Sequence, residues 1–179
     1  MPVYKYFIAV IPGPDLSERI TSLRKTFLPG VNNRDDHKKF PHITLQHTFS
    51  RSEIIEKDLG RCLNELARTV KPFPVKLSGV GHFDGRIIYV KVDESETLNG
   101  LYRGVKSILV NKFQFSTKEV SADFKPHVTL EKKIAGEDFN MHWKNIKDVE
   151  VNERFIADSF SLLRHNGVKW VVIENYLLT

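Results

Sequence analysis

The 179-residue chain has one cysteine, Cys62. That excludes an internal disulfide and any cysteine-rich zinc site, and within an apolar helical pattern the thiol reads as buried and structural. No apolar run approaches the roughly 20 residues of a membrane span. The opening MPVYKYFIAVIPGPD has too short an apolar run for a secretion signal and no small-residue cleavage site, so it reads as a strand. A cytoplasmic, reduced protein is the resulting expectation, with no membrane partner. No Gly/Ser-rich linker or low-complexity tract divides the sequence, so residues 1–179 are expected to form one domain. Nor is there a strong excess of either charge: 27 Lys+Arg against 22 Asp+Glu leave +5, which favours polyanionic partners only weakly. What is present is the composition of an ordinary globule, 41% hydrophobic and 27% charged, long enough to bury a core without covalent staples.

Periodicity orders the elements. Residues 3–11 are β-rich and stop at Pro12-Gly13-Pro14. A helix follows, with Asp15 and Glu18 as a candidate capping box, Leu16, Ile20, Leu23 and Phe27 on one face, and Pro29-Gly30 as its end. Residues 42–49 alternate as a half-buried strand, and 53–70 carry a helical stripe. Strands 73–83 and 86–92 flank Asp84-Gly85, a two-residue turn signal. A helix fits 96–112, a strand 127–131 and a short helix 136–146. Two closing strands, near 154–164 and 169–178, flank a turn at Asn166-Gly167. Mixed elements with hairpins predict an α+β fold with largely antiparallel sheet.

One unit occurs twice. Residues 41–45 read Pro-His-Ile-Thr-Leu and residues 126–130 read Pro-His-Val-Thr-Leu, nearly half the chain apart. The repeat implies two related halves, each placing one copy on a strand. Alternation puts His42 and Thr44 on one face, with Ile43 and Leu45 on the other; His127 and Thr129 stand likewise against Val128 and Leu130. Apolar faces pack inward. If the halves are related by a twofold, both polar faces line one groove holding two imidazoles and two hydroxyls. A single His-x-Thr on a strand is usually a solvated face; its duplication with the same flanking residues points to chemistry. Two histidines suit general acid–base catalysis near neutral pH, and two threonine hydroxyls can bond phosphate oxygens in the transition state. The arrangement suits in-line displacement at a phosphodiester with no metal and no cofactor.

These residues resemble the 2H phosphoesterase superfamily, which contains bacterial RNA 2′,5′-ligase-like proteins and cyclic phosphodiesterases. Its defining pair of His-x-Thr/Ser motifs matches His42-Ile43-Thr44 and His127-Val128-Thr129. The opening strand and helix, the Gly79–Phe83 segment and the closing 159–178 region are also similar in order and spacing. The resemblance implies a bilobal α+β fold with two pseudo-twofold lobes, helices outside and a central metal-independent groove. It implies one histidine as general base and the other as general acid, in an order it leaves open. Many ligase-like members place an arginine five residues after the second motif histidine, where it helps bind phosphate. Lys132 stands there in this chain, supplying charge without the bidentate fork. Strict alternation would turn Lys132 away from the groove unless the strand bulges. The corresponding position in the first half is His47.

Other candidates carry less. His37, His42 and His47 are spaced by five, which brings no three of them onto one metal. His82 reads as solvated, His142 as structural and His165 as part of the closing turn. Gly79-Val80-Gly81 lacks the helix a dinucleotide loop needs. Tyr4, Tyr6 and Phe83 are candidates for base stacking, although on strands such rings are more often core. The basic cluster Arg34, Lys38 and Lys39 precedes the first motif and could steer a phosphodiester. The expected function is a monomeric, metal-independent phosphodiesterase acting on RNA or nucleotide 2′-linked or 2′,3′-cyclic phosphates. A 2′,5′-oligoadenylate phosphodiesterase, an RNA 2′,5′-ligase, a 3′-trimming exonuclease and a cyclic-dinucleotide hydrolase share this chemistry. The rival from another class is a non-catalytic RNA- or nucleotide-binding module.

Overall fold

In a computed structural model that describes residues 1–28, 40–120, 123–134 and 136–179, the elements run β1 (Val3–Val10), α1 (Pro14–Phe27), β2 (Ile43–Ser52), α2 (Ile55–Ala67), β3 (Phe73–Phe83), β4 (Ile87–Val92), α3 (Glu96–Phe113), β5 (His127–Lys132), α4 (Gly136–Ile146), β6 (Asn152–Ala157), β7 (Ser159–His165) and β8 (Trp170–Leu177). Local chemistry explains their ends. Helix α1 begins with Pro14 in its first turn, where the missing N–H is no loss, and Asp15 favours the positive end of the helix dipole. The expected Asp15–Glu18 capping box is not formed: Gly13 holds the cap position without a side-chain bond. Helix α3 is capped by Ser95, whose hydroxyl accepts the Leu98 N–H. The β3–β4 turn puts Asp84 and Gly85 both at positive φ, as a type I′ hairpin requires. The expected helix end at Pro29-Gly30, His37 and the cluster Arg34, Lys38 and Lys39 lie outside the described residues.

All eight described strands form one antiparallel sheet in the order β6-β3-β4-β5-β2-β1-β7-β8. The order is symmetric about its centre. Outward from the β5/β2 seam, one half runs β5, β4, β3, β6 and the other β2, β1, β7, β8, so the two lobes are the two halves of a continuous sheet. Each of two helices crosses the seam. Helix α1 leaves β1 and packs on β5, while α3 leaves β4 and packs on β2. One buried cluster runs through both halves, including Ile8, Ile43, Leu101, Val128 and Leu162.

The closing region differs from its sequence pattern. The apparent strand 154–164 is two strands separated at Asp158. Strand β6 pairs with β3 at one edge of the sheet, whereas β7 pairs with β1 in the other half. Nothing local marks the change of partner, because β-rich residues continue on both sides of Asp158.

Candidate active site

The groove originates at the seam. Strands β2 and β5 pair at a single position, Ile43 with Val128. Both side chains are fully buried, and Leu45 and Leu130 are nearly so. The polar residues of both motifs therefore emerge on the opposite face, where a cavity of about 320 Å³ is lined by His42, Thr44, His127, Thr129 and Lys132. The structure thus brings together all five residues singled out from the sequence.

The two imidazoles are held in the same way. His42 Nδ1 lies 2.8 Å from the carbonyl oxygen of Phe40, and His127 Nδ1 lies 2.7 Å from that of Lys125, in each case two residues upstream. A carbonyl only accepts, so Nδ1 carries the proton in both rings. The neutral tautomer then leaves Nε2 with a free lone pair. Burial lowers the pKa of both rings. For His42 the Phe40 carbonyl opposes this, and the charges of Lys132 and His127 add to it. For His127 the Lys125 carbonyl opposes it, and the charge of His47 adds to it. Both rings are therefore neutral at pH 7 before an anion enters.

A matched pair of bulges decides which residues follow the threonines into the groove. Across β1 and β2, Ala9 faces Thr44 but Ile8 faces Gln46, leaving Leu45 as an extra residue. Across β4 and β5, Tyr89 faces Thr129 but Ile88 faces Glu131, leaving Leu130 extra. Each bulge inverts the alternation beyond it. Gln46 and Glu131 are buried, Glu131 still bordering the groove, and His47 and Lys132 line it. The buried pair is tied down. Gln46 Nε2 donates to the carbonyl of Glu119 (2.8 Å), and Glu131 sits 3.6 Å from the buried guanidinium of Arg24 on α1. The residues five positions after each histidine also interact across the seam: Lys132 bears on His42, and His47 on His127.

Several lining residues carry no sequence signal of their role. Phe7 sits in an apolar strand like any core residue, yet its ring centroid lies 5.0 Å from that of His42 and 4.6 Å from that of Trp170. Phe40 lies 5.3 Å from His42. Its place two residues before the motif histidine is the one available hint. These three rings line the groove. On the other side, Phe83 stacks on Tyr89 at 4.3 Å, and both pack against His127. Of the rings considered for base stacking, Tyr6 is fully buried and donates to Glu56, and Tyr4 lies beneath the Arg164 guanidinium. Neither reaches the groove. His82 packs on Phe139 and Trp143 of α4, and His142 is buried in that helix. His165 accepts the Gly167 N–H in the closing turn. Among the described residues, no group of three or more His, Cys, Asp or Glu is placed to hold a metal ion. No described helix is long and apolar enough to cross a membrane.

The family profile of the 2′-5′ RNA ligase superfamily matches residues 12–169. The chain belongs to that superfamily. Curated relatives of this member, provisionally named as phosphoesterases, include a Bacillus licheniformis protein 28% identical over 97% of this chain and 98% of its own length. Another, from Geobacillus thermodenitrificans, is 26% identical over 97% and 96%. Among solved structures, Escherichia coli LigT complexed with 3′-AMP has the same fold, with a TM-score of 0.78 at 18% identity over 99% of both chains. The superfamily fold is therefore the one described here: a curled antiparallel sheet with helices outside, and a phosphoesterase family to go with it.

Proposed function

We propose that this member is a metal-independent phosphodiesterase acting on RNA or nucleotide 2′-linked or 2′,3′-cyclic phosphates, with His42 and His127 as the acid–base pair. One observation carries the reading. Two imidazoles in the same tautomer, each fixed by a carbonyl two residues upstream, share one groove with two threonine hydroxyls and a lysine. A neutral Nε2 is ready to accept a proton from a nucleophile. A bound phosphate brings negative charge into the groove and favours the protonated form of the second imidazole, offsetting the desolvation that keeps it neutral when the groove is empty. Thr44 and Thr129 donate to the non-bridging oxygens, and Lys132 adds charge where it develops in the transition state. The LigT neighbour seen with 3′-AMP supports a nucleotide as the ligand class.

The test is turnover in EDTA on a 2′,3′-cyclic nucleotide, a 2′,5′-linked oligoadenylate and a 3′,5′-linked RNA. Activity on at least one is expected, and each of His42→Ala and His127→Ala should reduce it by about 10²–10⁴-fold. Wild-type turnover that survives both substitutions would sink the reading. Binding without turnover on any phosphodiester would leave a recognition module in its place.

A further inference from the structure

The groove floor is longer on β2 than on β5. Beyond the bulge at Leu45 the register of β1 and β2 slips again. Ile8 faces Gln46 and Tyr6 faces Phe49, so Phe7 stands against both His47 and Thr48. Two residues opposite one make a second bulge. His47 and Thr48 are both exposed, and both line the groove with Phe7. Strand β5 has no counterpart, because it ends at Lys132, opposite Ile87. Thr44 faces Ala9, two residues along β1 from Phe7, so the His47–Thr48 pair lies one strand repeat from Thr44, about 7 Å. The phosphates on the two sides of one ribose are a similar distance apart. Alternation along β1 puts Lys5 on the face of Phe7, one repeat further on and opposite Ser50. Lys5 is exposed, and among the described residues no carboxylate pairs with it.

Resting on the two-histidine reading above, we propose that His47, Thr48 and Lys5 form a second phosphate subsite, which takes the phosphate on the other side of the substrate's ribose. The three groups suit that ligand. A threonine hydroxyl and an imidazole N–H both donate, and a phosphate oxygen only accepts. Lysine supplies a point charge on a stem long enough to reach back along the strand toward Thr48. The pair sits on open groove floor, so the second phosphate stays partly hydrated and its oxygens need few protein donors. Asp123 lines a small chamber adjoining His47, and Lys125 accompanies it there. The motif residues then hold the reacting phosphate, and the second subsite reads whether the ribose carries another. The substrate class this selects is a nucleotide phosphorylated on both sides of its ribose. Two sources share that chemistry: a mononucleotide with a 5′-phosphate, and the last nucleotide of an RNA chain, whose 5′ oxygen bears the internucleotide phosphate.

Calorimetric titration with 3′-AMP and with adenosine 3′,5′-bisphosphate tests the subsite without turnover. The bisphosphate should bind about tenfold more tightly. Lys5→Ala should shrink that ratio by about threefold, and His47→Ala/Thr48→Val should abolish most of it. A general disturbance of His127 moves both ligands and cancels in the ratio. Lys144→Ala, on α4 and outside the groove lining, removes the same charge and should leave the ratio unchanged. Equal binding of the two ligands, a ratio that survives in both subsite variants, or an equal fall in Lys144→Ala overturns the proposal. The dinucleotide ApAp separates the sources. Tighter binding of ApAp than of the bisphosphate, sensitive to the same substitutions, makes the occupant an RNA chain; the reverse order makes it a terminal phosphate. Hydrolysis of 2′,3′-cyclic AMP, with and without a 5′-phosphate, separates this proposal from the reading it rests on. A bisphosphate preference in a protein that hydrolyses no phosphodiester keeps the subsite and rejects the two-histidine reading. Hydrolysis indifferent to the 5′-phosphate, with no preference in binding, does the opposite.

Discussion

The two halves of the sheet share a skeleton and differ in their walls. Each half places a histidine whose Nδ1–H is tied to a carbonyl two residues upstream, a threonine beside it, a leucine bulge and a buried polar residue. The first half adds Phe7, Phe40 and Trp170 on the groove face. The second puts Gly81 beneath Tyr89 and turns its aromatic pair upon itself. What repeats is the pair of motif side chains facing one groove; what departs from symmetry is the aromatic lining, which the first half supplies. The buried polar residues differ too, an amide in one half and a carboxylate in the other, and that contrast offers the largest effect to measure.

Glu131→Ala removes a carboxylate that lies 3.6 Å from the buried Arg24, on the helix that crosses the seam. Breaking a buried pair from one side costs about 3–5 kcal/mol. Gln46→Ala at the equivalent bulge loses a neutral donor to the Glu119 carbonyl, which costs about 1–3 kcal/mol. Chemical denaturation of the two variants should separate them in that order. Equal losses would mean that the bulges, not their anchors, carry the stability.

Gly81→Ala comes next. A Cβ there would stand 2.8 Å from the Tyr89 ring, so the ring must shift from the position in which it packs on Phe83 and His127. Overpacking of this kind costs about 1–3 kcal/mol. The thermal midpoint should fall, and phosphodiesterase turnover should fall with it. Unchanged turnover would show that the second half's aromatic pair does not position His127.

The smallest effect is on pH. Both motif histidines have pKa values lowered in the folded protein, chiefly by burial. Between the folded value and the ordinary value near 6.5, the unfolded chain binds more protons, so stability falls as pH drops through that window. Thermal melts from pH 7.5 to 5 should show the decline. His42→Ala and His127→Ala should each flatten it in part and the double variant further, because the titrating groups are gone; an undiminished slope in the double variant would place its origin elsewhere.

Much of this was legible in residue order. The Asp84-Gly85 hairpin, the cap at Ser95 and the duplicated motif are local features, set by backbone conformation or by alternation within one strand. The split at Asp158 was not, since a strand's partner is a long-range choice. The position of Lys132 was only half legible. Alternation pointed it away, and the bulge at Leu130 that brings it back shows only in the register against β4. Phe7 looks like core in sequence because its strand is apolar on both faces; only β8 folding back, with Trp170 meeting it edge-on, makes it a wall of the groove. By itself, the sequence determined the four motif residues and the α+β class, because hydrophobic alternation and turn chemistry act over a few residues. Only the tertiary structure decided the crossing of the helices over the seam, the paired bulges and the unequal walls. Those depend on which distant strands share hydrogen bonds, and no local pattern encodes that choice.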